Sequence, residues 1–87
     1  MSERFAELRE SIAASDARVV AEINERLRLV GELWTLKREL GLERLDPDRE
    51  RKLREELAAV NHGPLSAEGL DALVTAVLDL TKRELQT

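Results

Sequence analysis

The stretch ERFAELRESIAASDARVVAEINERLRLVGELWTLKREL, residues 3 to 40, contains no proline and a single glycine, Gly31. Apolar side chains recur through it at Phe5, Leu8, Ile12, Val19, Ile23, Leu27, Val30, Leu33 and Leu40, at mixed spacings of three and four. That is the period of one face of an α-helix, and nothing in the stretch gives the helix a reason to stop. At about 1.5 Å per residue such a helix runs over about 50 Å, longer than a compact monomer of this size is wide. Its far end therefore calls for a second chain to lie against. Ser15 and Asp16 interrupt the stripe between Ile12 and Val19, which argues against a plain heptad rod.

Outward from this stretch, Gly41 reads as a helix stop and residues 42 to 45 as a short connector. Asp46 followed by Pro47 reads as an N-cap and first helical residue. The apolar stripe of this second helix is Leu53, Leu57 and Val60. Counting back from Leu53 by four and by three gives Arg49 and Glu50, so two charges fall on the face that should be buried. Asn61-His62-Gly63-Pro64 is a turn by its Gly and Pro. Ser66 then caps a third helix, with Leu70, Leu73, Val74, Val77, Leu78, Thr81 and Leu85 as its inner face. The expectation is one all-α domain over residues 1–87, built of a long, a short and a medium helix.

Composition agrees. Phe5 and Trp34 are the only aromatic residues, β-branched runs are missing, and Leu, Ala, Glu and Arg dominate. The core of an 87-residue chain is marginal if it stays a monomer, so oligomerisation is expected. A net charge of −4 supplies no basic stripe for nucleic acid or an anionic membrane, although local basic clusters can still bind a small anion. The absence of cysteine removes disulfides, thiolate catalysis and Cys-based metal sites. His62, the single histidine, reads as an exposed loop residue. No apolar run approaches a membrane span and Met1-Ser2-Glu3-Arg4 does not open a signal peptide, so a cytoplasmic location is expected.

Several cations raise the question posed by Arg49. Arg26 and Lys37 are eleven residues apart. On a helix that is three turns and about 20° of rotation, so both share one face about 16 Å apart along the axis. Arg9 precedes Arg26 by seventeen residues. It is rotated by about 260° and lies out of reach of the same ligand in the same subunit. Taken singly, each is ordinarily solvated or paired with an acid one turn away, as Glu22 and Arg26 are spaced to be. Taken together, Arg26, Lys37, Arg49 and Glu50 would line a space between the first two helices. Three cations around one acid suit a dianion, because guanidinium forks match carboxylates.

Leu8-Arg9-x-x-Ile12-x-x-x-Asp16, Glu25-Arg26, Lys37, Asp46-Pro47-x-Arg49-Glu50 and the Gly63-Pro64 turn together resemble the all-helical (type II) chorismate mutases. The resemblance covers nearly the whole chain. The Asp46 to Glu50 and Gly63-Pro64 features are most similar to the version that also occurs fused to the first enzyme of the shikimate pathway. The resemblance implies an intertwined homodimer of three-helix chains with two equivalent sites; a shikimate-pathway enzyme stands as a further candidate partner. It implies that Arg9 binds a substrate carboxylate in the partner's site and Arg26 the other carboxylate in its own. Lys37 would hold a carboxylate and the ether oxygen of chorismate. Arg49 would support the anion, Glu50 and the backbone near Asp46 would take the ring hydroxyl, and Thr81 would stand at the ring carboxylate.

The implied reaction, a Claisen rearrangement of chorismate to prephenate, is unimolecular and needs no nucleophile, metal or cofactor. Two positions depart from the family's pattern. Trp34 stands where the family often has Gly, and packing is expected to account for it. Leu85 stands four residues after Thr81, where the family usually offers Gln or Glu to the ether oxygen, with Glu84 the nearest polar substitute. An isochorismate pyruvate lyase or an aminodeoxychorismate mutase could use the same cations. A non-catalytic helical interaction module is the reading from another class.

Overall fold

The computed structural model describes residues 2–86 and contains three α-helices: α1 (Glu3–Leu40), α2 (Pro47–Val60) and α3 (Ala67–Leu85). Each boundary has a local cause. The Ser2 hydroxyl accepts from the Phe5 N–H at 3.1 Å at the start of α1. Gly41 ends that helix in the left-handed region, at φ +70°, its N–H donating to the Arg38 carbonyl while the Leu42 N–H reaches back to Lys37 at 2.8 Å. The helix stop expected at Gly41 is therefore a C-cap that needs a residue without Cβ. Asp46 caps α2 by accepting from the Arg49 N–H at 3.1 Å, with Pro47 in the first turn. Ser66 caps α3 through the Gly69 N–H at 2.9 Å. Caps of this kind contribute about 1 kcal/mol each.

The molecule measures 59 × 26 × 17 Å, and the longest dimension is α1 itself. α3 packs against both other helices. Very little is enclosed: among the described residues Val74 is the one buried apolar side chain, and Thr81, 4% exposed, the one buried polar side chain. Phe5, Leu8, Ile12 and Val19, the first half of the α1 stripe, are all exposed. Leu73, expected on the inner face of α3, is also exposed, because it lies about 100° around the helix from Val74. Val60 is the last residue of α2 and is exposed where that helix ends.

Arg54 ties α2 to α3. Its guanidinium donates to Asp71 Oδ1 at 2.6 Å and to Thr75 Oγ1 at 3.0 Å, and lies 3.6 Å from Glu50 on its own helix. On the outer face of α1, Arg28 bridges Glu25 and Glu32, and its guanidinium holds the Glu25 carboxyl below the usual range. His62 is exposed in the turn. No helix among the described residues is long and apolar enough to cross a membrane.

Candidate functional site

A recess of about 330 Å³ opens between the second half of α1, the connector, the first turn of α2 and the end of α3. Val30, Leu33, Leu53 and Leu78 give it an apolar floor, and Arg26, Lys37, Asp46, Arg49, Glu50 and Thr81 give it polar walls. The helical arithmetic thus brings Arg26 and Lys37 to it from one face of α1 and Glu50 from the start of α2; Arg49, expected on the buried face, borders the recess but is exposed, because it lies in the first turn of α2 at the rim.

Arg26 is half-buried, and its Nη1 donates to Thr81 Oγ1 at 2.7 Å. The Thr81 hydroxyl in turn donates to the Val77 carbonyl at 2.7 Å. A hydroxyl has one proton, so its use on Val77 leaves the oxygen free to accept from Arg26. The Glu22 to Arg26 pairing suggested by their spacing is not formed, since the guanidinium turns inward to α3 instead. Arg26 is therefore held by a neutral group, and its charge is not cancelled.

Lys37 is half-buried, and its Nζ donates to the Arg44 backbone carbonyl at 3.2 Å. Arg49 is exposed at the rim, with no ion pair to its side chain among the described residues. Glu50 is half-buried, with Arg54 at 3.6 Å steadying its carboxylate. The Asp46 carboxylate is engaged in capping α2. Arg44 and Lys82 also line the recess, so five cations face two acids. Such an excess of positive charge over an apolar floor accepts a compact anion carrying two carboxylates and a largely apolar body.

Sequence reasoning did not single out Arg44, Lys82 or Arg54. Arg54 had a signal, its position one turn after Glu50. Lys82 follows the inner-face residue Thr81, and Arg44 lies in a connector without periodicity.

A second recess, of about 500 Å³, adjoins the first and is bounded by Gly31, Thr35, Arg38, Leu42 and Leu85. Trp34, Lys37 and Arg44 line both. Trp34 is half-buried at the boundary, with the Arg44 guanidinium 4.8 Å from its ring centroid. Its ring therefore borders the site as well as packing. Leu85 belongs to the second recess and offers only methyl groups there. Glu84, considered as its polar substitute, is exposed and lines neither recess. An α-helix carries position 84 about 60° to one side of the Thr81 direction, whereas position 85 falls about 40° to the other. Arg9 is also outside, exposed with its guanidinium 4.7 Å from the Phe5 ring, and about 25 Å along α1 from Arg26.

Residues 8–86 match the family described as chorismate mutase type II. Among solved structures, the chain is similar to form I of the chorismate mutase from Thermus thermophilus, at 33% identity over 91% of this chain and 99% of that one, with a TM-score of 0.86. Form II of the same protein is 31% identical over 97% of this chain and 96% of that one, with a TM-score of 0.89. The search of curated proteins returns no match. A family match over nearly all of the chain, joined to a cation-lined recess between three helices, means that the chain belongs to the type II chorismate mutases.

Proposed function

We propose that the recess rearranges chorismate to prephenate, in the biosynthesis of phenylalanine and tyrosine, as one of two equivalent sites in an intertwined homodimer. The observation that carries this reading is the convergence of Arg26, Lys37, Arg49 and Glu50 with Thr81 around one recess of uncancelled positive charge.

The reaction breaks an ether C–O bond and forms a C–C bond within one molecule. Catalysis consists of holding the flexible dianion in its compact chair-like conformer and stabilising negative charge that develops on the ether oxygen. Arg26 binds one carboxylate from its own chain, and Arg9 of the other chain binds the second. Lys37 lies against a carboxylate and the ether oxygen, and Arg49 adds positive charge at the rim. Glu50 and the backbone at Asp46 take the ring hydroxyl, and Thr81 fixes Arg26 beside the ring carboxylate. No cofactor enters this scheme.

Support for the dimer comes from the exposed first half of the α1 stripe, which finds nothing to cover it within its own chain. A symmetric pairing along α1 would cover that stripe and bring Arg9 to the other site. The reading also carries a cytoplasmic location, where the rest of the shikimate pathway operates, and leaves a shikimate-pathway enzyme as a partner to be sought by co-purification.

The test is chorismate consumption by the purified protein, with product identification, beside Arg26→Ala and Lys37→Ala. Prephenate formation lost in both variants supports the reading. Salicylate and pyruvate formed from isochorismate would point to the lyase, rearrangement of aminodeoxychorismate in place of chorismate to the aminodeoxychorismate mutase, and no turnover of any of the three by a folded dimer to an interaction module. Arg9 has its own check, because two inactive variants, Arg9→Ala and Arg26→Ala, complement each other when co-refolded. Half of the dimers formed then hold one intact site, returning about a quarter of the parent activity. Without shared sites the mixture stays inactive.

A further inference from the structure

Three side chains border both recesses: Lys37, Trp34 and Arg44. They form the partition between the region lined by Arg26 and Thr81 and the region lined by Leu85. Lys37 already has a role there, and Leu85 has no atom that can hydrogen-bond. Arg44 is the remaining cation of the partition. Its guanidinium rests on the Trp34 ring and has no carboxylate partner among the described residues. Its main-chain carbonyl, separately, accepts the hydrogen bond from Lys37 Nζ.

We propose that Arg44 is a further substrate-binding residue: its guanidinium exchanges the face of Trp34 for an oxygen of the dianion beside Lys37. The inference rests on the proposed mutase reading and adds to it a donor from the connector on the side where Leu85 supplies none. An arginine fits this task because its planar fork both stacks on an aromatic face and matches a carboxylate, and the weaker contact gives way to the charge-assisted one. The connector carries both parts of the device. The carbonyl of residue 44 anchors Lys37 whatever its side chain is, so a substitution at this position removes the guanidinium and leaves the anchor.

The experiment compares the full chain with Arg44→Ala and Arg44→Lys in three measurements: turnover of chorismate, calorimetric affinity for prephenate, and Trp34 emission during the same titration. Trp34 is the single tryptophan, so the emission reports the surroundings of this one ring. Arg44→Ala is expected to lose about tenfold or more in kcat/KM and in prephenate affinity, with unchanged circular dichroism. Arg44→Lys is expected to recover part of both, and in Arg44→Ala the emission before titration is expected to differ from the parent's, with a smaller change on binding, because the cation over the ring is gone. Retention of turnover and affinity within about twofold in Arg44→Ala overturns the proposal while leaving the mutase reading in place. A parent that binds prephenate without converting chorismate refutes the mutase reading alone, and the affinity ratio still decides for or against Arg44. A parent that does neither overturns both.

Discussion

Replacing Thr81 by Val removes one hydroxyl and almost no volume, which makes it the sharpest perturbation of the site. Thr81 is 4% exposed, and its oxygen is the acceptor that holds Arg26 Nη1 at 2.7 Å. Its other bond, to the Val77 carbonyl, matters less, because that carbonyl keeps the helical N–H of residue 81. A hydrogen bond to a charged group contributes about 1.5–3 kcal/mol where neither partner has an alternative. Arg26 is half-buried and water can reach it in part, so the loss of stability should lie near about 1 kcal/mol. The larger effect falls on turnover, since a guanidinium without its fixed point must be reoriented each time the dianion binds. A reorientation cost of about 1.4 kcal/mol lowers kcat/KM about tenfold. Chorismate depletion followed by absorbance measures the rate, and thermal unfolding at a fixed chain concentration measures the stability. Thr81→Ser keeps the acceptor and should retain most of the activity. Thr81→Val within about twofold of the parent, or Thr81→Ser falling as far as Thr81→Val, would refute the assignment of Thr81 as the group that orients Arg26.

Other substitutions test separate parts of the structure. Arg54→Met keeps the aliphatic stem but cuts the links to Asp71, Thr75 and Glu50; because Asp71 is largely exposed, unfolding should be easier by only about 1 kcal/mol, with a several-fold loss of kcat/KM as Glu50 is released. Equal activity in parent and Arg54→Met would mean that Glu50 needs no support. Glu84→Gln should leave turnover unchanged and the rate profile through mildly acid pH the same as the parent's; an acid-side rise that the variant abolishes would bring Glu84 back into the mechanism. Glu25→Gln tests the lowered carboxyl held by Arg28. A carboxyl depressed in the folded state contributes stability above its unfolded value and loses that contribution as pH falls through the lowered one. The thermal stability of Glu25→Gln should therefore lie slightly below the parent's near about pH 7 and converge with it towards about pH 3, as followed by circular dichroism melts.

Much of the fold was legible because its punctuation is local. Asp46-Pro47, Ser66 and Gly41 announce caps through chemistry that involves only their near neighbours, and the structure uses all three. The sharing of a face by Arg26 and Lys37 was legible for a similar reason: rotation along one helix is fixed by counting. The partner of Arg26 was not. Glu22 is four residues away and Thr81 fifty-five, and nothing in the local sequence shows that a buried hydroxyl across the bundle will win over an exposed carboxylate. Arg44 was missed because the direction of a side chain in a connector follows no period. Leu73 was placed on the wrong face because a broad apolar run on α3 does not mark its own centre, and packing against α1 and α2 selects Val74.

The neutral anchoring of Arg26 has a consequence for the approach of the substrate. The chain as a whole carries −4, yet its recess holds five cations against two acids. On the proposed reading of the recess, an arriving dianion is repelled by the net charge of the chain and drawn in at this mouth, so the field sorts encounters before any contact is made. Ionic strength tunes this steering, since at physiological salt the screening length is only about 8 Å. Association should slow steeply as salt is added, while the chemical step, inside the recess, is affected much less. Phosphate, sulfate and citrate buffers carry the same kind of charge as the substrate and would compete for the same mouth.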